Sequence, residues 1–458
     1  MPETYTTSLT GEHKNFLQQT FKDVAFDPES LRVYASDASL HKGTPLAMVQ
    51  PRNTEEVSKL LRWADAERIA IHPRGRGTGL SGGCVPNVPG IVVSMLGMDK
   101  ILNISEEDFV AEVEPGVNTG VFQTECEKHG VFFPPDPASG KATSIGGNLM
   151  NCAGGLRAVK YGVMRDYVLG VEVVVPGGKV LRFGGRSHKD VVGLDMARLF
   201  VGSEGTLGIV TKIILKLIPK PKDSASVLVG YPSLEDARLS MGRVFAAGIL
   251  PCAIEFMNET VLEVLEKTGS VPWPDSVKAL LLFQVDGNSD TVPLDIARLS
   301  NQLDESFWRM QGVGKTEEDK IWSYRRKVGA AGYELGPDRY CGDMAIPRGS
   351  LFAALDKFKE IAEAHGKKML AFGHAGDGNV HATIHYDATD AEDAKQASQA
   401  HDELDDAVIY FGGSLSGEHG CGFLKDVSKQ IGPDELEMMQ SLRKLFDPNG
   451  ILNPGKGY

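Results

Sequence analysis

Residues 73–83 read Pro73-Arg-Gly-Arg-Gly-Thr-Gly-Leu-Ser-Gly-Gly83. They follow Arg68-Ile-Ala-Ile-His72, which reads as a strand, and they contain a GxGxxG pattern from Gly77 to Gly82. In a Rossmann unit that pattern runs straight into a helix whose N-terminus meets a pyrophosphate. Here Cys84-Val-Pro-Asn-Val-Pro-Gly90 follows, and its two prolines forbid such a helix. The loop can still hold phosphate, because successive backbone N–H groups in a glycine turn form an anion nest. Arg74 and Arg76 would add charge. A single loop of this kind reads equally well as a plain tight turn.

Further segments shift that balance. Ser144-Ile-Gly-Gly-Asn148 runs into Asn151-Cys-Ala-Gly-Gly155, Arg165-Asp166 precedes an apolar strand, and Gly202-Ser-Glu-Gly-Thr-Leu-Gly208 precedes another. Several loops of small residues within about 150 positions suit a large flat ligand laid along backbone, such as a dinucleotide. Thr54-Glu-Glu-Val57 opens a helix with Val57, Leu60, Leu61 and Ala64 on one face. Ile218-Pro-Lys-Pro-Lys222 reads as a domain boundary. Beyond it strands (226–231, 252–258, 278–285, 367–372, 380–386) alternate with helices (233–247, 258–267, 290–305, 316–330, 349–365, 390–411, 433–446). Thr316 and Asp319 read as the cap pair of the fourth of these helices.

The chain has 458 residues, enough for two domains. Its net charge of −13 argues against a nucleic-acid partner, which wants a basic face. Its six cysteines form no CxxC pair. A disulfide framework, an iron–sulfur cluster and a cysteine zinc site are therefore not expected, and reduced thiols in a cytoplasm are. The opening residues lack the apolar core of a secretory signal, and no apolar run is long enough for a membrane span. The expected location is cytoplasmic, with room for peripheral association with the inner face of a membrane.

Five of the eleven histidines lie between 374 and 419. Gly373-His374-Ala-Gly-Asp-Gly-Asn379 reads as a turn between two strands. In the second strand, alternation puts His381, Thr383 and His385 on one face and Val380, Ala382 and Ile384 on the other. Ser416-Gly-Glu-His-Gly-Cys-Gly422 places a carboxylate beside a histidine, with glycines allowing a bent backbone. Two histidines and a carboxylate are a common ligand set for zinc, manganese or iron. From spacing alone, a hydrogen-bonded histidine pair without metal stands equally open. Arg325, in Lys320-Ile-Trp-Ser-Tyr-Arg-Arg326, reads by itself as an exposed helix arginine.

Taken together, PRGRGTGLSGG, PPDPAS, GGNLMNCAGG and GSEGTLGIVTKIILKLIPKP resemble the FAD-binding domain of the vanillyl-alcohol-oxidase superfamily. GHAGDGNVH, GEHG and the W-x-x-R of the 320–326 helix narrow the resemblance. They point to the FAD-linked D-2-hydroxyacid dehydrogenase family, whose members include D-lactate dehydrogenases, the glycolate oxidase flavin subunit and D-2-hydroxyglutarate dehydrogenases. The resemblance implies an α+β fold, with a superfamily-type FAD-binding domain (1–221) and an α/β cap domain on an antiparallel sheet (222–425). A C-terminal segment (426–458) would pack back near the first domain.

By the same resemblance, FAD contacts fall at Arg74, Gly75, Gly77, Thr78, Gly79, Pro137, Ser139, Ser144, Gly147, Asn148, Glu204, Gly205, Ile209 and Asn453. FAD is expected to be non-covalent, since the first loop holds no histidine and His72 lies just before it. A divalent metal, zinc first and manganese or iron next, would be held by His374, His381 and Glu418. His419 would be the base, and Arg325 would pair with a substrate carboxylate.

The implied reaction is oxidation of a 2-hydroxy acid to the 2-oxo acid by hydride transfer to flavin N5. The dicarboxylate branch carries a lysine where this chain has Cys341 and an asparagine where it has Thr383. Both departures favour a small monocarboxylate, D-lactate first and glycolate second, although Arg326 or Arg339 could supply a distal partner. Electrons would pass to an electron-transferring flavoprotein, an iron–sulfur subunit, a cytochrome or a quinone. Two rivals stand beside this reading. A flavin electron-transfer subunit without catalysis of its own would not need the histidine cluster. An aryl-alcohol oxidase of the same superfamily would predict an apolar, tyrosine-lined pocket and no metal.

Overall fold

A computed structural model describes residues 5–304 and 307–458. Residues 1–4 of the N-terminal stretch and Glu305, the last residue of the helix expected over 290–305, lie outside that range. The chain divides into two compact units. The first comprises residues 1–154, 163–220 and 418–458, and the second residues 155–162 and 221–417.

The first unit holds two sheets. In one, Pro45–Val49, Gly90–Ser94 and Ala70–Arg74 run parallel, with Val24–Ala25 antiparallel at the edge. The helix Thr54–Glu67 covers it with Val57, Leu60, Leu61 and Ala64, all fully buried, as the periodicity requires. Its N-cap is Asn53, whose side chain accepts from the Glu56 N–H. The second sheet is antiparallel, in the order Ile101–Ser105, Val110–Val113, Ile209–Lys216, Val168–Val175, Lys179–Gly184. Near the C-terminus the backbone of Ile451 and Asn453 bonds to Ile71 at 2.8 Å, so the C-terminal stretch pairs alongside the strand that delivers the first glycine loop.

The second unit is built on an eight-stranded antiparallel sheet. Its order is Trp308–Val313, Asp223–Tyr231, Ala279–Gly287, Ala253–Met257, Met369–His374, Asn379–Tyr386 and Asp338–Cys341, with Met344–Ala345 also pairing to Asn379–Tyr386. Alternation sorts its side chains. Leu281, Phe283 and Val285 join a core with Val380, Ala382 and Ile384, while Leu280 and Leu282 join another with Ile321, Trp322 and Val328 of the helix Lys315–Ala331. Burial on both faces explains the nearly continuous apolar strands. Thr316 and Asp319 do not cap that helix. It starts one residue earlier, after Gly314 at φ +80°, with no side-chain cap, and Glu317 bends back to accept the Val313 N–H at 2.9 Å.

Candidate functional site

In the first unit, the strand Ala70–Arg74 hands the chain to the glycine loop. No helix follows; the next regular element is the strand Gly90–Ser94. Among the described residues none accepts a hydrogen bond from the backbone N–H groups of Arg76 to Leu80. Arg74 is buried and frames the loop, with Nη1 donating to Cys84 Sγ at 3.3 Å and Nη2 to Val33 O at 3.2 Å. Gly77 sits at φ +68°, and a Cβ there would run into the Arg74 guanidinium.

The loop lines one wall of a cleft enclosing about 1330 Å³, its open mouth included. Pro137, Ser139, Ser144, Gly147 and Asn148 form a second wall, and Glu204, Gly205 and Ile209 a third. Asn148 spends its amide internally, accepting from Thr143 Oγ1 at 3.0 Å and donating to Thr119 Oγ1 at 2.9 Å. What these walls offer a ligand is largely backbone. Of the residues expected to touch FAD, Asn453 alone is absent from the lining. Its Nδ2 donates to the carbonyls of Gly83 and Glu204, and its Oδ1 accepts from Lys456 Nζ, so it fastens the C-terminal tail to the loop.

His72 is fully buried. Its Nε2 donates to Val88 O at 2.9 Å, and Nδ1 faces Asn453 Oδ1 at 3.3 Å. Burial, reinforced by the Lys456 charge, pushes its pKa down to about 3, so this ring is a neutral packing element.

Glu418 and His419 line the same cleft, with Glu418 Oε1 3.8 Å from His419 Nε2. Their backbone is laced down: Asn151 Nδ2 donates to His419 O at 3.2 Å and Ser81 Oγ to Gly420 O at 2.9 Å. Glu204 accepts from the N–H groups of Cys421 and Gly422. Burial raises its carboxyl pKa, against the lowering effect of those two donors. A ligand in this cleft would meet the unpaired backbone N–H groups of the first loop and, among the other lining residues, an acid–imidazole pair.

In the second unit, Glu255 is fully buried on the strand Ala253–Met257, in register with His374. Its Oε1 lies 2.5 Å from His374 Nδ1, and its Oε2 accepts from Arg325 Nε at 2.6 Å. A carboxylate facing Nδ1 puts the ring proton there, which makes Nε2 the acceptor nitrogen. The Arg325 guanidinium lies over the Phe372 ring, 4.5 Å from its centroid. Arg325 is therefore half-buried and held in an ion pair with a buried carboxylate, not exposed on its helix.

The rings of His374 and His381 meet edge to face, centroids 5.5 Å apart, and each offers a nitrogen within 4.8 Å of the other. Asp343, buried, accepts from Asn379 Nδ2 at 2.9 Å, Ser416 Oγ at 3.2 Å and the Gly417 N–H at 3.1 Å, with Oδ1 4.0 Å from His381 Nδ1. Two imidazoles beside a carboxylate are donors of the type a borderline divalent ion takes, so the residues fit a metal.

The remaining histidines of the 374–419 stretch and the nearby polar residues are packing. His385 hydrogen-bonds Gly336 O at 3.1 Å and meets the Tyr333 ring edge to face; His401 stacks on Tyr340. Arg326 donates to Asp319 O of its own helix, and Arg339 lies over Tyr333. Cys341 and Thr383 are register partners across two strands. Glu255 and Asp343 escaped the sequence reading. The one available signal was a lone acid inside the apolar run Ala253-Ile-Glu-Phe-Met257.

Comparison with known proteins places these units. The family model for the FAD binding domain matches residues 45–184, and that for the C-terminal domain of FAD linked oxidases matches residues 220–457. Glycolate oxidase subunit GlcD of Bacillus subtilis is 39% identical over 457 residues, spanning 98% of this chain and 97% of that protein. A D-lactate dehydrogenase of Anaerostipes hadrus is 35% identical over 431 residues, spanning 91% and 90%. The solved structure of p-cresol methylhydroxylase superposes with a TM-score of 0.77 over 98% of this chain and 97% of that one; at 20% identity it speaks for the fold alone. Among the described residues no helix is long and apolar enough to cross a membrane. With both domain models matched in chain order and a relative alike along nearly the whole length, the chain belongs to the FAD-linked oxidases.

Proposed function

We propose that this protein oxidises a small 2-hydroxy acid to its 2-oxo acid, with D-lactate the first candidate substrate. The observation that supports this most is the group of Arg325, Glu255, His374 and His381 around a fully buried carboxylate. There Glu255 holds both a guanidinium suited to a carboxylate and His374, one of two neighbouring imidazoles suited to a metal. FAD, when bound, supplies the acceptor for the hydride leaving the α-carbon.

Arg325 binds the substrate carboxylate through its Nη1/Nη2 edge, since Nε is committed to Glu255. His374 and His381, with Glu418, hold a divalent metal, zinc ahead of manganese or iron. Such an ion favours the ionised hydroxyl. His419 takes the hydroxyl proton at a ring nitrogen. Arg74, the 75–79 loop, the 137–148 wall and Glu204–Ile209 cradle the flavin nucleotide. FAD is non-covalent: His72, the histidine just before the loop, is buried with its ring packed against Val88 and Asn453.

The monocarboxylate preference rests on Cys341 and Thr383, which stand in register at one place in the sheet, where the dicarboxylate branch has lysine and asparagine. The extended identity to a glycolate oxidase subunit supports glycolate as a second reading. Electrons leave to a protein acceptor or a quinone. The test is anaerobic mixing of the flavin-loaded protein with D-lactate, L-lactate, glycolate and D-2-hydroxyglutarate. Rapid bleaching by D-lactate is expected, and bleaching by none of the four would reject the proposal.

A further inference from the structure

Glu255 has no counterpart in the roles assigned above. It lies in an apolar strand whose neighbours Ile254 and Phe256 point into one core, while Glu255 points to the opposite face. Its side chain is fully buried. A carboxylate there must be satisfied by strong donors, and it has two, on elements 70 and 119 residues away.

Each donor is constrained by the contact. With Arg325 Nε bonded to Glu255 and the guanidinium carbon over the Phe372 ring at 4.5 Å, the edge left to Arg325 is its Nη1/Nη2 pair, which matches a carboxylate fork. With Nδ1 of His374 bonded to the other oxygen, the ring is fixed in rotation and tautomer, and Nε2 is its acceptor nitrogen.

We propose that Glu255 is the positioning residue of this site: one buried carboxylate sets both the carboxylate-binding arginine and a metal-binding histidine. The proposal rests on the functional reading given above, and it goes beyond it by making the two subsites depend on one side chain. Glu255 touches neither substrate nor metal; it acts through Arg325 and His374.

Glu255→Gln tests it. An amide offers one accepting oxygen and one donating nitrogen, so it can accept from only one partner; with its oxygen on Arg325, its NH₂ would face His374 Nδ1 and favour the tautomer that carries the proton on Nε2. Two readouts are needed. The first is metal affinity of the metal-free, FAD-loaded protein, titrated with zinc or cobalt(II) against a chelator, together with the cobalt absorption bands. The second is KM for the bleaching substrate. Metal affinity about 10–100-fold weaker, with altered cobalt bands, is expected alongside a KM raised at least about tenfold, at unchanged FAD content. If Glu255→Gln does not fold, Glu255→Asp keeps the charge, draws both oxygens back by one methylene, and should show the same pair of losses at smaller size. Wild-type metal affinity and KM in a folded variant would overturn the proposal while leaving the functional reading intact. A wild-type protein that binds no divalent metal and reduces no flavin with any hydroxy acid would instead overturn the functional reading, and this inference with it.

Discussion

Glu204 Oε1 accepts the backbone N–H of Cys421 at 2.6 Å, across 217 residues of chain. Oε2 takes the next N–H, that of Gly422, at 2.7 Å. Glu204 itself sits at φ +51°, a left-handed backbone uncommon for a residue with a side chain, at the point where the third glycine segment turns into its strand. The carboxylate thus clamps the turn immediately after His419. Replacing it with Gln leaves one buried N–H facing an amide NH₂. That should cost about 1–3 kcal/mol of stability. It should also lower turnover more than it raises KM, since His419 is displaced and Arg325 is not. Chemical denaturation and steady-state kinetics on the same sample measure both, and unchanged turnover would remove the clamp from the catalytic account.

Two glycines of the first loop separate cleft occupancy from folding. A Cβ at Gly79 meets nothing closer than 3.8 Å, and its backbone is not left-handed. Gly79→Ala should therefore fold as wild type yet intrude on the cleft, so FAD affinity should fall severalfold at an unchanged apoprotein melting point. Gly77→Ala combines a left-handed φ with a collision on Arg74, and both FAD retention and stability should drop. Flavin titration and thermal melting of the apoproteins distinguish the pair.

His374→Ala removes a proposed metal ligand. Metal content by mass spectrometry should fall to background and turnover by at least about a thousandfold, with FAD still bound. A chelator should inactivate the wild type in the same way, with recovery on returning zinc or manganese. Full activity in the metal-free wild type would send the assignment back to a hydrogen-bonded histidine pair.

His72 predicts an acid limit on stability. In the unfolded chain it takes up a proton as pH falls through about 6.5, whereas in the native chain burial delays protonation to about pH 3. Between those values the unfolded state holds the extra proton, so stability falls with falling pH, at up to about 1.4 kcal/mol per unit from this group. His72→Gln removes that slope. The stability advantage of wild type over the variant should shrink between pH 6.5 and pH 4 in denaturant titrations.

Asp343 and Glu204 hold the Ser416–Gly422 segment from its two sides in sequence, each within its own compact unit. Asp343→Ala would take a buried carboxylate acceptor from Asn379, Ser416 and Gly417, while the Gly417 N–H keeps the carbonyl of residue 343 and Asn379 Nδ2 keeps that of Met344. A loss of about 1–3 kcal/mol is expected from denaturation curves.

The glycine loops, the absence of a helix after the first of them, the 54–67 helix and the alternation of Val380, Ala382 and Ile384 could all be read from the sequence. Each depends on a rule that acts within a few residues: the freedom of glycine, the ban on proline inside a helix, and the periods of 3.6 and 2. Backbone-lined ligand walls are legible for the same reason, because the motif itself carries the conformation that exposes its N–H groups. The place of Asn453 was not legible in this way. Its partners are carbonyls of Gly83 and Glu204, hundreds of residues away, and they consume the amide.

Only the tertiary structure could show that Glu255 holds both Arg325 and His374, that Asp343 grips Ser416 and Gly417, or that His385 and His401 are packing. Those facts follow from which strand lies beside which in the eight-stranded sheet, with Ala253–Met257 next to Met369–His374. Sheet order is settled by the summed burial and pairing of distant segments, and no local stretch of residues carries that sum.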